Sequence, residues 1–454
     1  MKMKNVDMLS GSVFKGMLSM TIPIMVMNVM QLMFSVLDMT ILGQFADDSA
    51  VGAVGACGSL LVFCTSLLIG ISAGTNVVVA NSIGKNDPEA TGRYVGSSLL
   101  FSVIGGIILL IIGITFAETF LGWINCPEKL MNQAVLYFKI YFCSVPAMVF
   151  YSFCAAILRA AGDTRRPFIF MLLTSSLKVA LNFILVKFCN MSVAGVGIAT
   201  VASSTAAAIL FFITLLRSKD SIRFQFRHFR FYWPEIKNML RIGVPTGVQS
   251  SLYTLANSVI AAAVNSFGPD ATTGISIANQ FDGILYQVAL APSYAVIPYV
   301  AQNVGAGNFG RVKEAVSKAT IITVFFGATL GFLSAIFSAE LSSIMSSTPE
   351  VIMYSQQKMI IVSSTYFICG INEVLCGSLR GLNRPIVPTV SALIFLCLLR
   401  FVWVYFIFPF YPNLTFLYLV WPIGWICCIV TGLAFYIPTL GKLQKNSIAS
   451  AQLN

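Results

Sequence analysis

Long apolar runs alternate with short polar segments along the whole chain, and each run is long enough to cross a bilayer. A hydrocarbon layer of ~30 Å and a rise of 1.5 Å per residue require about 20 apolar residues per crossing. Twelve runs meet that length, at 17–42, 55–81, 94–116, 133–158, 168–188 and 195–216, then 242–267, 274–302, 320–337, 359–379, 387–408 and 414–437. The pattern therefore predicts an all-α membrane protein with twelve transmembrane helices. The segment before the first run (MKMKNVDMLSGSVFKG) is basic but has no small-residue cleavage site, and is read as leading into a retained first crossing.

The runs also repeat at an offset near 221 residues. Pro23 pairs with Pro245, Ala80 with Ala301, Gly84 with Gly305 and Arg159 with Arg380, while VANSIGKND answers VAQNVGAGN and LRAAGDTRRP answers LRGLNRP. Six crossings is an even number, so both copies enter the membrane in the same sense and an axis along the membrane normal should relate them. The expected organisation is two pseudo-symmetric six-helix lobes, residues 1–216 and 242–454, joined by a cytoplasmic basic linker at 217–241 and flanking a central cavity. Duplicated bundles of this kind suit alternating access.

Composition agrees: 57% of residues are hydrophobic and 10% charged, with a mean hydropathy of +0.84. A soluble chain carries about 25% charged residues, so an ordinary soluble enzyme is excluded. The net charge of +11 would suit nucleic acid only if Lys and Arg clustered on an exposed face, whereas here they punctuate apolar runs. Of 28 basic residues, 22 fall on the N-terminus, the even-numbered connections and the C-terminus. Four (Lys129, Lys139, Lys187, Lys358) fall on the opposite side, and Lys178 and Arg400 lie inside predicted helices. Basic loops resist translocation, so a multi-pass protein of the cell (inner) membrane with both termini cytoplasmic is expected. Its partners would be membrane lipid and small molecules, not nucleic acid, and the chain would act as a monomer. The linker mixes seven basic residues with aromatics at helical spacing and is expected to lie against anionic headgroups.

Eleven cysteines sit mostly in apolar stretches without a CxxC pair, and His228 is the only histidine. No His-based metal site or triad can be assembled, and no GxxxxGK phosphate loop occurs, so neither an enzyme nor an ATP-driven pump is expected, and no cofactor beyond a coupling ion.

An ionisable group in hydrocarbon costs about 2.5–3.5 kcal/mol on insertion scales, so each one is a candidate site. Five stand out: Asp38, Lys178, Asp282, Glu373 and Arg400. Asn28, Gln31, Ser35 and Asp38 share one face of the first helix, and Ser175, Lys178 and Asn182 share one face of the fifth. Lys178 lies eleven residues from Pro167, about 16 Å deep, and should meet a carboxylate, with Asp38 the candidate. In the second half, Asn279, Asp282 and Tyr286 form a stripe on the eighth helix, Gln249, Tyr253 and Asn257 add polar atoms to the seventh, and Glu373 lies on the tenth. Arg400 occupies the place of Lys178 in the repeat and should pair with Asp282 or Glu373. The first helix adds seven methionines, soft side chains that suit either packing or a promiscuous surface.

These residues resemble the multidrug and toxic compound extrusion family over essentially the whole chain. The resemblance rests on Pro23 with SVLDMTILGQF, VANSIGKNDPEA, LRAAGDTRRP, VAGVGIAT, VAQNVGAGNFGRV and CGSLRGLNRPIVP, in that order and spacing. It implies a secondary-active exporter of amphipathic, often cationic, compounds, driven by inward movement of protons or sodium. The family's first-helix acid falls on Asp38, its fifth-helix asparagine on Asn182 and its sixth-helix threonine on Thr200. The acid that often follows that asparagine is replaced by Val186, and Lys178 is added one turn earlier, which favours protons over sodium because a hard cation needs several oxygens. The cation-coupling set would be Asp38, Lys178, Asn182 and Thr200. Asn28, Gln31, Ser35 and the polar residues of the second half would line the substrate cavity. The alternative is a flippase for lipid-linked sugars or lipids, which should show a strongly cationic cavity; here three deep acids face two deep bases.

Overall fold

The computed structural model describes residues 5–453, with side chains except those of Asp48, Thr254, Leu255 and 446–453; Lys2 and Lys4, counted among the N-terminal basic residues, lie outside it. Twelve long helical segments account for most of it. In the first half they are α1 (Val13–Phe45), α2 (Asp48–Gly84), α3 (Pro88–Thr115), α4 (Glu128–Ala160), α5 (Arg165–Phe188) and α6 (Ser192–Arg217). The second half has α7 (Trp233–Asn265), α8 (Pro269–Gly305), α9 (Phe309–Ile336), α10 (Pro349–Gly381), α11 (Ile386–Phe410) and α12 (Leu414–Lys445). Among the described residues, eleven of the twelve are long and apolar enough to cross a membrane. The other is α7, 33 residues long, whose apolar run is diluted by Gln249, Ser250, Ser251, Asn257 and Ser258.

The duplication read from sequence is also a duplication of elements. Pro88–Thr115 and Phe309–Ile336 are both 28 residues long, and Asp48–Gly84 and Pro269–Gly305 are both 37. Each copy starts 221 residues after its counterpart. The turns match too. Asn86 (φ 55°) after α2 becomes Gly307 (φ 74°) after α8, and Gly162 (φ 81°) after α4 becomes Asn383 (φ 61°) after α10. Gly and Asn are the two residue types that accept a left-handed conformation at low steric cost, so the repeat exchanges them freely. At the start of α3, Asp87 accepts a hydrogen bond from the Ala90 amide at 2.9 Å with Pro88 in the first helical position, a strong start signal.

The chain divides into two compact units, residues 5 and 30–247 and residues 6–29 and 248–453, so α1 and α7 each contribute to both. In the first unit α4 packs against α2, α3 and α6. There α2 and the start of α7 touch backbone to backbone: a Cβ on Gly70 would stand 2.4 Å from Gly247 Cα, and one on Gly74 2.3 Å from the Met239 carbonyl oxygen. Such close crossing is how helices gain packing where lipid supplies no hydrophobic drive.

The linker is docked on α3 and, apart from a single turn at Phe226–His228 and the start of α7, is not helical. Ser97 donates to the Arg230 carbonyl at 3.1 Å, Arg93 meets Glu235 at 2.8 Å, and His228 is buried where Gly92 and Gly96 leave room for it. Burial first, and the Arg227 charge second, hold the His228 imidazole below its usual range. Phe226 and Trp233 stay exposed. In the second unit, Met8, Met17, Met20 and Ile24 are buried with Ala295 and Tyr299 of α8 and Val312 of α9, so the first methionines of α1 are packing residues, whereas Met33 is 59% exposed.

Candidate functional site

In the first unit the 3–4 spacing on α1, α5 and α6 brings Gln31, Ser35, Asp38, Lys178 and Thr200 to one cavity of about 370 Å³. Asp38 is buried, and its two oxygens are taken separately. Lys178 Nζ lies 2.6 Å from Oδ2, and the fully buried Asn182 donates from Nδ2 to Oδ1. The expected meeting of Lys178 with Asp38 is thus made. The Thr200 hydroxyl lines the cavity but donates to Val196 of its own helix at 2.8 Å, not to Asp38. Val186 is buried in the wide π turn Ile184–Phe188 that ends α5. Asn28, one turn before Gln31 on α1, is not among the residues lining this cavity, and its buried Nδ2 is unpaired among the described residues. Sequence reasoning missed Tyr141, Tyr151, Ser203 and Ser204 of the lining; the last two lie one turn beyond Thr200 in the same small-residue run.

The second unit builds a different cluster. Asp282 accepts from Lys358 at 2.9 Å and from the Ser363 hydroxyl at 3.0 Å, and Lys358 also donates to Asn279. Arg400 does not reach Asp282 or Glu373, as the repeat had suggested. It donates from Nη1 to Asn257 Oδ1 at 2.6 Å and lies over the rings of Tyr253 (5.2 Å) and Trp421 (5.3 Å). The reason is that Lys358 already occupies Asp282, while two aromatic faces supply the negative potential that a guanidinium needs. Tyr253 stacks on Tyr286 with centroids 6.2 Å apart. Gln249 accepts from Arg380 at 2.9 Å, and Glu373 is buried with no salt bridge or hydrogen-bond donor among the described residues.

Lys358 itself corrects its expected place in an outer connection. Its charge ended the apolar run in the sequence, yet α10 starts nine residues earlier and carries it inside the bundle, 3% exposed. Three deep acids therefore face three deep bases, and the expected acid excess disappears. Wide π turns flank Arg400 at Leu393–Leu398 and Trp403–Ile407 and follow Asn182 on α5, in keeping with the habit of such turns to gather at functional positions.

The sequence profile of the MatE family matches the chain twice, over residues 23–184 and 245–406. A probable multidrug resistance protein of Bacillus subtilis, YoeA, is 25% identical over 390 residues, covering 84% of each chain. A FAD transporter of Shewanella oneidensis is 24% identical over 399 residues, covering 86% of this chain and 87% of that one. Among solved structures, an outward-facing multidrug resistance transporter of the MATE family aligns with a TM-score of 0.90 at 17% identity, over 98% of this chain and 100% of the other, which is a likeness of fold.

Proposed function

The chain belongs to the MatE family of multi-pass membrane transporters, and from that premise we propose that it is a proton-driven exporter of small amphipathic compounds working by alternating access. In this reading Asp38 alternates between a protonated state and the ion pair with Lys178, and the change reshapes the cavity around it. The observation that carries the reading is the setting of Asp38, the one carboxylate on the cavity wall, with both oxygens held by N–H donors. A sodium site would need several oxygen ligands, whereas Asp38 is met by an ammonium and an amide, and Val186 offers no oxygen. Export of several compounds is supported by relatives named for multidrug resistance; a relative named as a FAD transporter has similar identity, so the cavity of each chain must set its own ligand class. The cell membrane as its site, cytoplasmic termini and action as a single chain complete the reading.

The test is efflux of amphipathic dyes, cationic and zwitterionic, from proteoliposomes with proton and sodium gradients imposed separately. A proton gradient alone should drive efflux, and a sodium gradient alone should not. Indifference to both would refute the antiport reading, and drive by sodium alone would refute the choice of ion.

A further inference from the structure

We propose that the first-unit cavity is built for zwitterionic ligands, which place an anionic group on Lys178 and a hydrogen-bond donor such as an amine on the hydroxyl wall, with an aromatic body between. The proposal rests on the exporter reading and specifies its substrate class.

The charges on the cavity wall are unequally available. Asp38 and Lys178 are the two charged lining residues. The Asp38 side chain is 9% exposed and already holds a donor on each oxygen, whereas that of Lys178 is 28% exposed. Only one of its three N–H donors is needed for the contact to Asp38. An entering ligand therefore meets positive charge. A cation would be repelled there unless it first displaced Lys178 from Asp38, while a carboxylate can join the ammonium with the ion pair intact. Asp38 acts as the positioning residue that fixes the ammonium at the wall.

Three of the eight lining hydroxyls present the opposite demand. Thr174 donates to Phe170 at 2.9 Å, Thr200 to Val196 at 2.8 Å and Ser203 to Thr200 at 3.1 Å, all backbone carbonyls of their own helices. Their hydrogens are committed, so what they offer the cavity is lone pairs. A donor group on the ligand can use these lone pairs, whereas an anion cannot. Phe34, Tyr151, Met148 and Met171 supply aromatic and thioether surface for an apolar body. The volume of about 370 Å³ lies in the range of small-molecule sites.

A matched pair of dyes tests this. Rhodamine 110 is a zwitterion, and rhodamine 123 is its methyl ester, a cation of nearly the same shape. Binding of each to the purified full-length protein in detergent is read by fluorescence anisotropy. The wild type should bind rhodamine 110 about tenfold more tightly, the gain expected of one charge-assisted contact. Lys178→Arg should keep that order. Lys178→Met should abolish or reverse it, because the uncovered Asp38 then attracts the cation. Equal or tighter binding of the ester by the wild type, survival of the preference in Lys178→Met, or binding of neither dye would overturn the proposal. Gradient-driven efflux is scored separately, so a failure here leaves the exporter reading to stand or fall on its own test.

Discussion

At the scale of single residues, the deep charges differ in how they are neutralised, and the differences carry consequences. Among the described residues, Lys358 is the only cation in contact with Asp282, with Ser363 as the remaining donor to that carboxylate. Removing one partner of a buried pair leaves an uncompensated charge, at a cost of about 3–5 kcal/mol, whereas replacing both by apolar groups can be nearly neutral. Lys358→Met should therefore lower the thermal unfolding midpoint of the purified protein sharply, and Lys358→Met combined with Asp282→Leu should recover most of the loss. A single variant as stable as the wild type would contradict the pairing. The type of each deep residue was legible in the sequence, and so was the meeting of Lys178 with Asp38, since 3–4 spacings place side chains on faces. The partner of Arg400 was not, because an amide oxygen of Asn257 and the ring faces of Tyr253 and Trp421 hold it without a charged letter in the sequence. Lys358 was misplaced because a lysine in a hydropathy profile marks a loop unless its counter-charge, here on α8, is known.

At the scale of elements, helix packing and linker docking make separate predictions. Gly74 has no room for a side chain against the Met239 carbonyl, whereas Gly58 on the same helix faces open space. Gly74→Leu should cut the yield of monodisperse protein on size exclusion severalfold, while Gly58→Ala should leave it unchanged. The linker is expected to respond to pH through His228. Its folded imidazole titrates below the ordinary value, so the docked form binds protons less readily than the released form. The contribution of His228 to docking should then be fully present above about pH 6.5 and be lost as the pH falls below it. Tryptic cleavage in the linker should rise between pH 7.5 and 6 relative to a His228→Gln control that cancels the enzyme's own pH dependence, and a constant ratio would remove His228 from the docking. The sequence predicted twelve crossings, but it began the ninth and tenth about ten residues late. A hydropathy run reports the hydrocarbon-facing part of a helix, whereas α9 and α10 start in polar turns at Phe309 and Pro349. The linker's docking was hidden for a related reason: His228 is buried against Gly92 and Gly96, a distant part of the chain, which local periodicity does not record.

At the scale of the whole molecule, duplication of elements has not meant duplication of chemistry. Matching helices and turns recur 221 residues apart, yet the first unit sets Asp38 against Lys178 and Asn182, and the second sets Asp282 against Lys358 with Arg400 held between rings. The second cluster is not the image of the first, since Lys178 corresponds by repeat to Arg400 and not to Lys358. One fold repeated with two charge arrangements leaves one unit free to carry the coupling carboxylate, and Asp38 lines a cavity in the first unit. The most direct measurement is dye efflux from proteoliposomes under an imposed pH gradient, with wild type and Asp38→Asn at equal protein density. The asparagine keeps the size and the contact to Asn182 but can neither ionise nor exchange a proton, so gradient-driven efflux should fall to the level of protein-free vesicles. Efflux that persists at the wild-type rate in Asp38→Asn would contradict the account.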